Sequence, residues 1–146
     1  MRKRILATAY DVNPFKGSES GTGWNFAYQL SLYNHVTLVT RKNNRQEIER
    51  YIKENKINCD NLKFEYFDLN KVILTFKKGQ FLSFIYFNLW QFFLPIKFFK
   101  KRANFDVVHS INFHGTWCLL LMSSKKDQTY KHLCHHVPLR VSGNRC

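Results

Sequence analysis

Acidic side chains are scarce: the 146-residue chain holds 10 aspartates and glutamates against 23 lysines and arginines, a formal charge of +13. That balance favours phosphorylated ligands, nucleic acid or anionic lipid surfaces without choosing among them. Paired cysteine motifs are missing as well. Cys59, Cys118, Cys134 and Cys146 are scattered without Cys-x-x-Cys spacing, and Met1-Arg-Lys-Arg runs directly into a strand-like segment with no cleavable signal before it. Both absences point to a reduced, cytoplasmic setting. No nucleic-acid module signature occurs, which makes nucleic acid the weakest of the three partner classes and leaves it out of the expected partners. His132, Cys134, His135 and His136 cluster near the end, but their spacing matches no zinc pattern and no carboxylate supports them, so no metal site is expected.

The chain is one domain in size, long enough to bury a core. Its apolar runs alternate between two periods. Ile5 to Tyr10 reads as a strand buried on both faces of a parallel sheet, and a helix is expected from Thr22, as N-cap, to Tyr33, with Phe26, Ala27, Leu30 and Tyr33 toward the sheet. His35 to Thr40 reads as a second strand. Asn44 to Lys56 returns to helix, with Ile48, Tyr51 and Ile52 on one side and Glu49 placed one turn before Lys53. Strands at Leu62 to Phe67 and Phe105 to Ser110 complete an alternation that predicts an α/β fold with a doubly wound, mainly parallel sheet.

Glycine is also sparse, with six residues in all, yet Gly17, Gly21 and Gly23 fall within seven positions between the first strand and first helix. Such a loop turns tightly and admits a ligand close to the backbone beside free helix N–H groups. It is neither the dinucleotide fingerprint, which needs a small residue where Phe26 stands, nor a P-loop, which needs Gly-Lys at Thr22 and Gly23. Glu19 inside it would repel phosphate, so sugar hydroxyls, or a diphosphate met through backbone N–H groups alone, suit it better. Trp24 is expected to pack the helix onto the sheet.

Ligands of open parallel sheets bind beyond the carboxyl ends of the strands. Those ends carry Asp11 and Asn13, then Thr40 and Arg41, then Asp68, then His109 and Ser110. His109 is the strongest side-chain candidate, since imidazole exchanges protons near neutrality and hydrogen-bonds hydroxyls.

Ala9-Tyr10, the run KGSESGTGWNFAYQLSLYNHVTLVTR, Asn44-Arg45 with Ile48-Glu49, and FDVVHSINFHGTW together resemble the amino-terminal half of family 4 glycosyltransferases, above all bacterial members serving surface polysaccharide synthesis. The resemblance implies the acceptor-side half of a GT-B fold, whose two facing α/β domains transfer a sugar from a nucleotide-sugar donor to a sugar or lipid-linked acceptor. It implies substrate-binding roles for Gly17, Ser18, Gly21, Thr22 and Gly23 and a catalytic one for His109; Arg41 joins the substrate-binding candidates by its position after the second strand. It implies no cofactor, the donor being a substrate held by a carboxyl-terminal domain with no counterpart here. Residues 1–130 would be that incomplete domain, inactive in isolation. A stand-alone basic α/β module for a phosphorylated ligand or anionic membrane is the alternative.

Between Lys71 and Arg102 stand seven basic residues and no acidic one, around an uncharged run from Gly79 to Ile96. Ser83, Asn88, Gln91 and Pro95 argue against a span. A helix that fills the core, or that dips into lipid at the inner membrane face with Lys97, Lys100, Lys101 and Arg102 meeting headgroups, fits the run. After a helix expected over 116–124, residues 131–146 show neither period and a changed composition, as a lost reading frame would produce.

Overall fold

The computed structural model describes residues 2–69 and 80–111. Its elements are β1 (Arg4–Thr8), α1 (Ser18–Tyr33), β2 (His35–Thr40), a 3-10 turn (Lys42–Asn44), α2 (Arg45–Glu54), β3 (Leu62–Tyr66), α3 (Gln80–Phe98), a second 3-10 turn (Lys101–Asn104) and β4 (Val107–Ser110). The strands form one sheet in the order β3-β2-β1-β4, every pair parallel. Ile5 lies beside Val36 on one side and Val107 on the other. The start of β4 is pinned to that of β1, because the Arg4 N–H donates to Asp106 at 2.8 Å and the Asp106 N–H donates to the Arg4 carbonyl at 2.8 Å.

Alternate residues of β1, β2 and β4 feed two cores, and β3 feeds one. Ile5, Ala7, Val36, Leu38 and Leu62 meet Trp24, Ala27 and Ile48 of α1 and α2 on one face. Leu6 and Val39, with Phe67 and Leu69, meet Tyr86, Trp90, Leu94 and Phe98 of α3 on the other. Burial on both faces is why β1 and most of β2 read as apolar runs, whereas the edge strand β3, Leu62-Lys-Phe-Glu-Tyr66 with Lys63 exposed, alternates. The α/β, doubly wound parallel arrangement expected from the sequence is the one the chain builds, with its topological switch between β1 and β4.

Several local expectations are corrected. Helix α1 begins at Ser18, four residues early, so Thr22 is no N-cap; it lies inside the helix and donates to the Ser18 carbonyl at 2.8 Å. Ser20 fixes the early start, since its hydroxyl donates to the Asp11 carboxylate and its carbonyl accepts the Asn13 N–H. Of the side chains expected to face the sheet, Ala27 does so, Leu30 is half-buried, and Phe26 and Tyr33 are exposed, Tyr33 by 74%. Gly21, Gly23 and Trp24 take the inward places. Glu49 pairs backward with Arg45 at 2.7 Å rather than forward with Lys53. The helix expected over 116–124, the tail from 131, and Lys71, Lys77 and Lys78 lie outside the described residues.

Helix α2 ends with Lys56 at φ 49°, and the Ile57 N–H returns to the Ile52 carbonyl at 3.1 Å. This is a left-handed helix stop in which any Cβ is strained. Lys56→Gly should therefore stabilise the fold by about 0.5–1 kcal/mol, read as a higher urea midpoint at unchanged slope; a lower midpoint would contradict it.

Candidate functional site

The carboxyl ends of β1 and β2 are held together by buried polar groups. The Tyr10 carbonyl, two residues past β1, accepts from Arg41 Nε at 3.1 Å and from Asn44 Nδ2 at 3.1 Å. Asn44 Nδ2 also donates to Thr40 Oγ1 at 2.7 Å. The Arg41 guanidinium lies 3.9 Å from the centre of the Tyr10 ring, with one nitrogen 3.5 Å from Asp11 Oδ1. Burying an arginine demands such partners. Arg41, expected to touch a ligand, is thus buried and spends its guanidinium on the β1 end and Asp11.

Asp68, past the end of β3, accepts the Lys42 N–H at 3.0 Å and the Tyr86 hydroxyl at 2.9 Å. The three strand ends and α3 are thereby tied into one platform. Burial, reinforced by the bond to Asp68, pushes the Tyr86 phenol up to about 12 from its ordinary 10.0; burial does the same to Tyr66, also to about 12. Below pH 10 both phenols are protonated whether the chain is folded or not, and their contribution is whole. From pH 10 toward about 12 the unfolded chain releases protons that the folded one keeps, so stability falls. Chemical denaturation at rising pH should show the fall beginning near about pH 10, and Tyr86→Phe should flatten it; an unchanged slope in that variant would refute the assignment.

On this platform lies a hollow of about 400 Å³, lined by Asp11, Asn13, Phe15, Lys16, Asn43, Asn44 and Glu47. Its wall is the β1–α1 loop. Asn13 shapes that loop, its side-chain oxygen accepting the Phe15 N–H at 2.9 Å and its carbonyl accepting the Lys16 N–H at 3.2 Å. Both carboxylates are balanced by arginines, Asp11 by Arg41 at 3.5 Å and Glu47 by Arg50 at 2.8 Å. The hollow therefore offers carboxylate and amide oxygens, amide N–H groups and one ammonium, Lys16. Hydroxyl-bearing ligands both donate and accept, and match such a wall; phosphate oxygens only accept, and find a single cation.

Of the strand-end residues named from the sequence, Asp11 and Asn13 line this hollow; the glycine-loop residues, Arg41 and His109 are not in its lining. Gly17 is the N-cap position of α1, without a side-chain cap bond, and Ser18 follows at φ 59°, a left-handed backbone that non-glycine residues avoid. Gly21 and Gly23 are buried within α1. A Cβ at Gly21 would stand 2.3 Å from the Lys16 carbonyl oxygen, so that glycine accommodates the chain's own backbone. His109 sits in register with Ala7, its ring stacked on Phe26 at 5.1 Å, on the α1 side of β4. Phe26, although 39% exposed, thus meets the sheet at its β4 edge.

Asn43, Asn44 and Glu47 line the hollow without having been among the strand-end residues named from the sequence. Asn44 carried a signal only as the polar residue opening α2; nothing local announces that its amide will anchor the Tyr10 carbonyl 34 positions earlier. Trp24, by contrast, does what was expected of it. It is buried and parallel to Phe64 of β3 at 6.2 Å.

No protein-family model matches the chain, no curated protein matches it, and no solved structure matches it.

Proposed function

We propose that this chain is the acceptor-side α/β domain of a family 4, GT-B-type glycosyltransferase, one wall of a cleft where a sugar passes from a nucleotide-sugar donor to a sugar or lipid-linked acceptor in surface polysaccharide or glycolipid synthesis. The observation that carries this reading is the hollow at the carboxyl ends of β1 and β2, with carboxylates and amides in place of a phosphate cradle. Sugar hydroxyls donate to Asp11, Glu47 and the asparagine oxygens and accept from Lys16 and the amide N–H groups. The donor's nucleotide is then assigned to a facing second domain, as in the family resembled. Gly17 and Ser18 at the head of α1, and His109 at the end of β4, flank the switch point between β1 and β4, where open sheets take their ligands. In this reading His109 binds or deprotonates a hydroxyl, while Arg41 positions Asp11.

One feature favours a second reading, a stand-alone module for a phosphorylated ligand. The first turn of α1 starts without a side-chain cap, and a helix start of that kind favours an anion, although Glu19 in that same turn opposes one.

Incubation of the purified chain with nucleotide sugars and lipid-linked acceptors, followed by saturation-transfer NMR, separates these readings. Sugar contact without product is the expected result, because positioning a donor needs groups on both sides of a cleft. Robust turnover by the chain alone would overturn the single-wall assignment. Binding of inorganic phosphate without any sugar contact would replace it with the second reading.

A further inference from the structure

Helix α3 is apolar on two sides. Tyr86, Trp90, Leu94 and Phe98 are buried against the sheet, and Trp90 Nε1 donates to the Phe67 carbonyl at 2.8 Å. On the opposite side Phe81, Ile85, Phe92, Ile96 and, just past the helix, Phe99 are exposed, Phe81 by 75% and Phe84 beside them by 63%. Steps of four, seven, four and three residues keep those five on one line along the helix. A sheet-covering helix normally turns its outer side to water with charged residues. Here the outer line holds none.

The charge at its end is predominantly basic, with Glu65 the acidic group paired there. Ile96, Lys97, Phe99 and Lys100 line a shallow hollow of about 520 Å³. Lys97 reaches over the Phe67 ring at 4.7 Å and Lys101 pairs with Glu65 at 2.9 Å, so both are held at the same end as Lys100. From Leu69 to Phe105 the sequence has no acidic residue. A second copy of the chain would bring another formal +13 against this surface, which opposes self-association. Nucleic acid would answer the charge but not the aliphatic members Ile85 and Ile96 of the line.

We infer that the outer face of α3 docks on an anionic lipid bilayer, with Phe81, Ile85, Phe92, Ile96 and Phe99 entering the headgroup–acyl boundary and Lys97 and Lys100 meeting lipid phosphates. The face lies on the side of the sheet away from α1 and α2, so docking leaves the strand ends accessible. This inference does not rest on the proposed sugar-binding role. Helix Phe81–Phe98 is long and apolar enough to cross a membrane by length and composition, but the four core residues on its inner side tie it to the sheet and fit surface docking instead.

Co-sedimentation of the full 146-residue chain with vesicles of phosphatidylglycerol and phosphatidylcholine, against phosphatidylcholine alone, tests this. Partitioning to the anionic vesicles should be stronger by an order of magnitude or more and should weaken as salt rises. Lys100→Glu should lower it about fivefold or more on anionic vesicles only. Phe81→Ser with Phe92→Ser should lower it at least about tenfold while the circular dichroism spectrum and thermal midpoint are kept. Equal partitioning to both vesicle types, or none to either at low salt, would overturn the inference. So would a concentration-dependent dimer, or binding of a single-stranded oligonucleotide, that the phenylalanine variants abolish.

Discussion

Trp90→Ala is expected to cost about 3–5 kcal/mol of stability, the largest loss from any single truncation on the α3 side. The indole is buried between Tyr10, at 5.3 Å, and Phe67, at 6.0 Å, and its N–H holds the Phe67 carbonyl just past β3. Alanine leaves a cavity under the centre of α3 and an orphaned carbonyl beside it, and the two effects add. Urea unfolding followed by far-ultraviolet circular dichroism should show the midpoint falling by a large fraction of its value. Trp90→Phe should recover most of the packing but not the hydrogen bond, and so lie between. A loss below about 1 kcal/mol in Trp90→Ala would mean that α3 does not cover the sheet as described.

Gly21→Ala is the second large effect, and it separates a structural glycine from a ligand-binding one. The added methyl would sit 2.3 Å from the Lys16 carbonyl oxygen, a backbone atom that cannot swing aside as a side chain would. Either α1 shifts or the loop before it does, at about 1–3 kcal/mol. Because the loop also forms the wall of the hollow through Asn13, Phe15 and Lys16, the variant should lose both stability and ligand binding. Gly17→Ala is the control: no atom lies within 4 Å of a Cβ there, and stability should change little. Full thermal stability in Gly21→Ala would refute the close approach.

These two residues also show what could be read from the sequence. The strands were legible because Ile5 to Ala7 and Val36 to Val39 are buried on both faces, and unbroken apolar runs bounded by polar residues follow from that alone. The second strand was read to its observed limits, His35–Thr40. The order of polar residues near the strand ends was legible too, since Asp11, Arg41 and Asp68 follow β1, β2 and β3 within three residues. The start of α1 was not. It is set by Ser20 bonding back to Asp11 and Asn13, contacts across a loop that helical periodicity does not register, and so Gly21 and Gly23 looked like loop residues. Phe26 fits the period of an inward position, and it meets the sheet through His109 of β4, 83 residues on, while staying partly exposed. Arg41, by its place after a strand, was expected to touch a ligand; the Tyr10 ring and carbonyl, which bury it, belong to a different strand end. For α3 the sequence left core and lipid as alternatives, and the helix is long and apolar enough all round to bury one side and expose the other.

The central claim is that the polar hollow on the strand ends recognises sugar hydroxyls rather than phosphate. Residue-resolved NMR of the labelled chain, titrated separately with a neutral sugar panel and with inorganic diphosphate, tests it most directly. The account predicts shifts at Asp11, Asn13, Asn43, Asn44 and Glu47 with a sugar, lost in Asp11→Ala, and no saturable shifts there with diphosphate. Saturable diphosphate binding at Lys16 and the head of α1, with no sugar moving the hollow's residues, would contradict it.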